Sequence, residues 1–68
     1  MKKNRNSFTE EEIKKLKINF NLAEIAKEHD LNPKANHIYK VLRKFPKNKY
    51  SRSYKFIEDL QEKLENLN

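Results

Sequence analysis

Residues 22–43 of this chain have the sequence LAEIAKEHDLNPKANHIYKVLR. Its apolar side chains recur at intervals of three and four residues, which is the spacing of amphipathic helices. They are Leu22, Ile25, Ala26, Ile38, Val41 and Leu42, and Phe45 follows at the same spacing. Between the two groups stands Asp30, a residue type that tolerates the left-handed backbone usually supplied by glycine. The stretch therefore predicts two short helices joined by a turn and packed through their apolar faces.

A helix start signal precedes this pair at residues 8–13, Phe-Thr-Glu-Glu-Glu-Ile. Thr9 is the expected N-cap and Glu12 its capping-box partner, while Phe8 and Ile13 form a hydrophobic staple across the first turn. The three acidic residues also suit the positive end of the helix dipole. The signal predicts a first helix that runs to about Ile18.

The same pattern recurs at residues 20–25, Phe-Asn-Leu-Ala-Glu-Ile. Here Asn21 is the expected N-cap, Glu24 its capping-box partner, and Phe20 and Ile25 the staple. We expect the second helix to cover about residues 22–29. A helix this short is unstable alone, so packing must hold it.

The third helix has two candidate starts. Asn32 followed by Pro33 matches an N-cap with a first-turn proline, and Asn36 is a second candidate cap. Its end is better defined, because Pro46 disfavours helical geometry in the residue before it. Residues 46–52 are then predicted to form a polar loop.

A fourth helix is predicted to begin near Ser51 or Ser53 and to continue to the C terminus. Its apolar stripe has spacings of three and four residues and consists of Ile57, Leu60, Leu64 and Leu67. Two heptads of this kind pack either on the domain core or on a second copy. We therefore take Leu60, Leu64 and Leu67 as a candidate dimer contact. The predicted fold class is all-α, a compact four-helix domain with a longer C-terminal helix.

Composition limits the function classes. The 68 residues form one domain, 1–68, in which 1–7 are expected to be a basic, flexible tail. The absence of cysteine excludes disulfides, thiolate metal sites and a cysteine nucleophile, and it fits a cytoplasmic protein. No apolar run approaches the ~18 residues of a membrane span, so we expect no membrane partner. His29 and His37 stand eight residues apart with no cysteine nearby, so no metal is expected. A 68-residue chain without glycine has little room for a catalytic pocket, so neither another cofactor nor enzyme activity is expected.

Positive charge is concentrated in one segment. Residues 32–55, called the basic segment below, contain eight basic residues and no acidic one: Lys34, Lys40, Arg43, Lys44, Lys47, Lys49, Arg52 and Lys55. Residues 10–31 and 56–68 carry net charges of −2 and −3, although the whole chain is at +6. This distribution is typical of a protein that binds a polyanion.

The helix pair at residues 22–43 resembles the helix-turn-helix of the phage repressor and Cro kind. The similarity lies in Ile25-Ala26, the polar pair Lys27-Glu28, the turn at His29-Asp30-Leu31, and then Ile38-Tyr39-Lys40-Val41-Leu42. It covers about 22 of the 68 residues. In two respects the chain departs from that pattern: Asp30 replaces the usual glycine, and the interval from Leu31 to Ile38 is about two residues longer.

The resemblance implies sequence-specific binding of double-stranded DNA by a helix-turn-helix domain with its third helix in the major groove. It also implies a small phage or mobile-element transcriptional regulator that acts as a homodimer on host transcription machinery. The residues expected to contact bases are Lys34, Asn36, His37, Tyr39, Lys40 and Arg43. Those expected to contact phosphates are Asn21, Lys44, Lys47, Lys49, Arg52 and Lys55.

Two other functions remain open from the sequence. One alternative is a small inhibitor or adaptor whose basic face binds an acidic surface of a host protein. The other is an RNA-binding module in which Tyr39 or Tyr50 stacks on unpaired bases. For Tyr50 and Tyr54 we nevertheless expect packing at the rim of the small core rather than stacking.

Overall fold

The structure is a computed structural model that describes residues 6–67 and contains four helices and no strand over that range. Helix α1 spans Glu10–Asn19, α2 spans Leu22–Glu28, α3 spans Ala35–Arg43 and α4 spans Arg52–Asn66. Helix α1 packs against α4, α2 against α3, and α3 against α4. The predicted all-α, four-helix domain with a longer C-terminal helix is confirmed.

Helix α1 begins with the predicted capping box. The Thr9 hydroxyl accepts a hydrogen bond from the Glu12 amide at 3.2 Å, and the Glu12 carboxylate accepts one from the Thr9 amide at 2.9 Å. Both members of the staple, Phe8 and Ile13, are buried. The helix extends through Asn19, whose side-chain amide donates to the Lys15 carbonyl at 2.8 Å.

Helix α2 begins at the predicted N-cap, because the Asn21 side chain accepts a hydrogen bond from the Glu24 amide at 3.3 Å. The reciprocal half of the box is replaced by an ion pair, in which the Glu24 carboxylate lies 3.8 Å from Lys27 Nζ. The helix ends at Glu28, one residue before the predicted limit. Asp30 adopts the left-handed conformation expected of it, with φ of 58°.

Helix α3 starts at neither of the predicted caps. Its N-cap is Lys34, which makes no side-chain capping bond. The Asn32 side chain instead accepts a hydrogen bond from the Lys34 amide at 3.0 Å, a local turn that keeps Asn32 and Pro33 outside the helix. Asn36 lies within the first turn. The helix ends ahead of Pro46, as predicted, with Arg43 as its last residue.

Helix α4 begins after Ser51, which is one of its two predicted starts. The Ser51 hydroxyl accepts a hydrogen bond from the Tyr54 amide at 3.1 Å and so caps the helix. In α4 the predicted stripe supplies Ile57, Leu60 and Leu64 to the core, and Leu67 remains 37% exposed. The monomer itself buries Leu60 and Leu64, so of the candidate dimer contact only Leu67 is exposed.

One core joins all four helices. Its buried side chains are Phe8, Ile13, Leu16, Leu22, Ile25, Ala26, Ile38, Leu42, Phe56, Ile57, Leu60 and Leu64. Phe56, which lies outside the predicted stripe, is among the largest side chains that are fully buried. Among the described residues no charged or polar side chain is buried, so the charges lie at the surface.

The chain before α1 is attached to the end of α3. The Phe8 amide donates to the Leu42 carbonyl at 2.9 Å, and the Phe45 amide donates to the Asn6 carbonyl at 2.8 Å. The Phe8 and Phe45 rings meet edge to face, with centroids 5.1 Å apart. Of the expected flexible tail, 1–7, the structure describes only Asn6 and Ser7, and Asn6 is the residue bonded to Phe45; residues 1–5 lie outside the described range.

A charged cluster connects the end of α2 to α4. His29 Nε2 lies 3.1 Å from one carboxylate oxygen of Asp59, and Lys63 Nζ lies 3.3 Å from the other. Partial burial acts to raise the pKa of the Asp59 carboxyl, but the hydrogen bonds and charges of His29 and Lys63 outweigh it and hold that pKa below its ordinary value. The cluster holds the start of the turn between α2 and α3 against the longest helix.

Candidate nucleic-acid interface

Helix α3 has one buried and one exposed face. Ile38 and Leu42 lie in the core, and Val41 packs against it. The opposite face exposes Asn36, Lys40 and Arg43, which are four and three residues apart and therefore lie along one side of the helix. Among the residues predicted to contact bases, these three have the exposure that such a role requires, and Lys34 is exposed at the N-cap.

The half-buried Tyr39 ring lies near two cations. Lys17 Nζ lies 5.9 Å from the centroid of its ring, and the Arg43 guanidinium carbon lies 5.8 Å from it. The guanidinium in turn forms an ion pair with Glu10, at 3.2 Å from Nε to Oε2, with a longer second bond of 3.4 Å. We call Glu10, Lys17, Tyr39 and Arg43 the Tyr39 cluster. It joins α1 to α3 and fixes the Tyr39 ring in a half-buried position.

His37 differs from its exposed neighbours on α3. It is half-buried, and its Nδ1 atom is buried without a hydrogen-bond partner within residues 6–67. An imidazole in this position presents less of its polar edge to solvent than Asn36 or Lys40 does. Among the predicted base contacts, His37 and Tyr39 are therefore the two with reduced access.

The remaining cations of the basic segment are exposed. Lys44, Lys47, Lys49, Arg52 and Lys55 all lie at the surface, as the prediction of phosphate contacts requires. Within the described residues none of them has a carboxylate within 4 Å, and neither do Lys34 and Lys40. Arg43 is the ion-paired exception. The carboxylates of α4 therefore leave the basic segment unneutralised by direct contact.

The residues between α3 and α4 form an ordered turn, which we call the Tyr50 loop (residues 46–51). The Asn48 side chain accepts a hydrogen bond from the Tyr50 amide at 2.9 Å, and the Asn48 carbonyl accepts from the Ser51 hydroxyl at 2.8 Å. Tyr50 itself is 88% exposed. The expectation that Tyr50 packs at the rim of the core is therefore wrong, whereas Tyr54 is half-buried, as expected. The loop backbone is held by its own polar groups and leaves this ring in solvent.

Asn21 lies at the edge of a groove of about 320 Å³. The groove lies between the end of α1, the start of α2 and the start of α3, and it is mostly apolar. Lys17, Phe20 and Tyr39 are among its lining residues. Because the Asn21 side-chain oxygen caps α2, that oxygen and the Glu24 amide are already paired with each other.

Within residues 6–67 no three His, Asp or Glu side chains are grouped closely enough to hold a metal ion. Over that range, no helix has both the length and the apolar character that crossing a bilayer requires. Comparison with protein-family models, curated proteins and solved structures finds no match to this chain.

Of three features of this surface, the first two have no signal in the sequence pattern. Lys17 belongs to a segment of net negative charge, yet it lies beside the Tyr39 ring on α3. Glu10 is explained by the first turn of α1, yet it also pairs with Arg43, 33 residues away. Both contacts depend on how α1 and α3 pack, which local spacing does not determine. The loop that carries the exposed Tyr50 ring is held by Asn48, a turn residue whose type alone is a usable signal.

Proposed function

We propose that this protein binds double-stranded DNA sequence-specifically, as a small transcriptional regulator with helix α3 in the major groove. One observation carries the proposal: seven of the eight cations of the basic segment are exposed and have no carboxylate within 4 Å among the described residues. Charges of one sign that remain unneutralised over such a length favour a polyanionic partner, because contact with phosphates releases condensed counterions.

The exposed face of α3 supports contact with bases rather than with phosphates alone. Asn forms paired hydrogen bonds with adenine, and Arg or Lys does so with guanine, so Asn36, Lys40 and Arg43 are suited to base edges. The connection between α2 and α3, residues 29–34, is longer than the three or four residues typical of a helix-turn-helix. In this proposal the extra residues carry Lys34 at the start of α3, and the His29–Asp59 contact supports the turn.

The salt dependence of duplex binding tests the proposal. If about six phosphates are engaged, affinity for a duplex should fall on the order of 10³-fold between 50 and 200 mM salt. Fluorescence anisotropy with a labelled random duplex, followed by selection of bound oligonucleotides, measures the electrostatic and the sequence-specific parts separately. A flat salt response, or no duplex binding at low salt, would contradict the proposal.

Point variants separate the two kinds of contact. Lys40→Ala should weaken the selected sequence more than unrelated duplexes, since loss of a base contact costs about 1–3 kcal/mol at one position. Lys49→Ala should weaken all duplexes alike and reduce the salt slope by about one. Equal losses on every sequence for both variants would contradict the role of α3 in base recognition.

Binding measurements of the same kind distinguish the two other functions. An RNA-binding module predicts tighter binding to single-stranded RNA than to duplex DNA in direct competition. An inhibitor or adaptor predicts weak duplex binding and a stable complex with an acidic protein surface. We expect a homodimer on a symmetric operator, through a surface other than Leu60 and Leu64, and sedimentation with and without duplex measures this.

A further inference from the structure

Tyr50 is the most exposed large apolar side chain in the described part of the molecule. Its exposure is 88%, compared with 74% for Ile18 on α1 and 37% for Leu67. The ring makes no aromatic or cation contact within residues 6–67, unlike the Tyr39 ring, which lies beside Lys17 and Arg43. A ring of this size in water offers apolar area to a partner without first breaking an internal contact.

The backbone on both sides of Tyr50 is held in place. The Asn48 side chain accepts a hydrogen bond from the Tyr50 amide, and the Asn48 carbonyl accepts one from the Ser51 amide at 3.1 Å. Ser51 also caps α4 through the Tyr54 amide. Because the turn is already ordered, binding through Tyr50 loses less conformational entropy than binding through a mobile loop.

The charges around this ring indicate what kind of surface covers it. Lys49 precedes Tyr50 and Arg52 follows it by two residues, and both are exposed without an ion pair among the described residues. A partner that covers the ring and pairs with both cations therefore combines an apolar face with two negative charges. A DNA strand has this arrangement, because each deoxyribose lies between two phosphates.

We propose that the Tyr50 ring packs against a deoxyribose of the bound duplex, between phosphates contacted by Lys49 and Arg52. The Tyr50 loop is then a second DNA-binding element beside α3, and it contributes affinity that salt does not screen. This inference rests on the proposed function, since it requires that the protein bind duplex DNA.

The test compares two variants that differ in how they depend on salt. Tyr50→Ala should weaken binding to any duplex by about tenfold, because an aromatic ring contributes through the area it buries. It should leave the salt slope unchanged, since no charge is removed, whereas Lys49→Ala should reduce the slope by about one. Tyr50→Phe keeps the ring and should bind within about twofold of wild type. Anisotropy titrations at four or five salt concentrations provide both quantities.

Ile18→Ala is the matched control, because Ile18 is also exposed but lies outside the basic segment. The duplex affinity of this variant should equal that of wild type.

Wild-type affinity in Tyr50→Ala, with Lys40→Ala still weakened, would overturn the inference and leave the proposed function intact. Failure of the wild-type protein to bind duplex would instead remove the proposed function itself. A loss confined to DNA with an unpaired nucleotide would replace sugar packing by base stacking. A changed sedimentation coefficient with unchanged affinity would assign Tyr50 to a protein contact, and either result overturns the proposal.

Discussion

Within residues 6–67, Asp30 is the one residue with a left-handed backbone conformation, with φ of 58°. This conformation costs most residue types about 1–2 kcal/mol, and Asp less than most. Asp30→Gly should therefore raise the free energy of unfolding by about 0.5–1 kcal/mol, because glycine has no Cβ to strain. Asp30→Val should lower it by about 1–2 kcal/mol, since a β-branched residue suits this region least. Urea unfolding measures both, and a Val variant as stable as wild type would contradict the argument.

The ion pair of Glu10 with Arg43 is exposed, so its contribution to stability is small. Its consequence for binding is of similar size, because a phosphate or base must displace the Glu10 carboxylate from the guanidinium. Glu10→Gln should raise duplex affinity by about two- to fivefold, the equivalent of an exposed ion pair. Glu11→Gln is the matched control, since it removes the same charge from the same helical turn without contacting Arg43. An equal gain in the two variants would mean that only net charge matters.

At the level of the helix, the Asp59 cluster predicts how stability depends on pH. The folded pKa of Asp59 is lowered from 3.8 because His29 and Lys63 outweigh the opposing effect of partial burial. The stabilisation is therefore fully present above pH 3.8 and is lost as pH falls through the lower folded pKa. As pH falls from 3.8 through the lower folded pKa of Asp59, the free energy of unfolding of wild type should fall more steeply than that of Asp59→Asn. Glu58→Gln, an exposed neighbour on α4, should retain the wild-type slope, and parallel slopes for Asp59→Asn and wild type would contradict the prediction.

Helix starts were predictable where a side chain makes the capping bond. Thr9, Asn21 and Ser51 each accept from an amide three residues ahead, so the local pattern carries the information. Helix α3 lacks such a bond at Lys34, so the start predicted from the two nearby asparagines was misplaced. In the candidate interface, the cations of the basic segment were predictable from composition. The contacts of Lys17 and Glu10 with α3 were not, because they arise from the packing of helices distant in the chain.

In the whole molecule, Leu60 and Leu64 belong to one small core that packs the four helices together. Because the cations lie on these helices and on the loop between α3 and α4, the core holds them in their relative positions. Five large side chains are fully buried and together join α1, α3 and α4: Phe56, Leu16, Leu42, Ile57 and Leu60. A chain of this length typically has a free energy of unfolding of about 3–10 kcal/mol. The free energy lost with one buried leucine is therefore a large fraction of this total. The proposed DNA surface depends on the same core.

Leu60→Ala should lower the free energy of unfolding by about 2–5 kcal/mol, because it removes a fully buried side chain and leaves a cavity. The melting temperature should fall by more than about 10 °C, as expected for a domain of this size. Leu67→Ala, on the exposed end of the same stripe, should change stability by less than about 0.5 kcal/mol. Circular dichroism melts at several protein concentrations measure both, since a dimer contact makes the melting temperature depend on concentration. If Leu60→Ala melts like wild type at high protein concentration and its melting temperature falls only on dilution, this leucine belongs to an interface instead of the core.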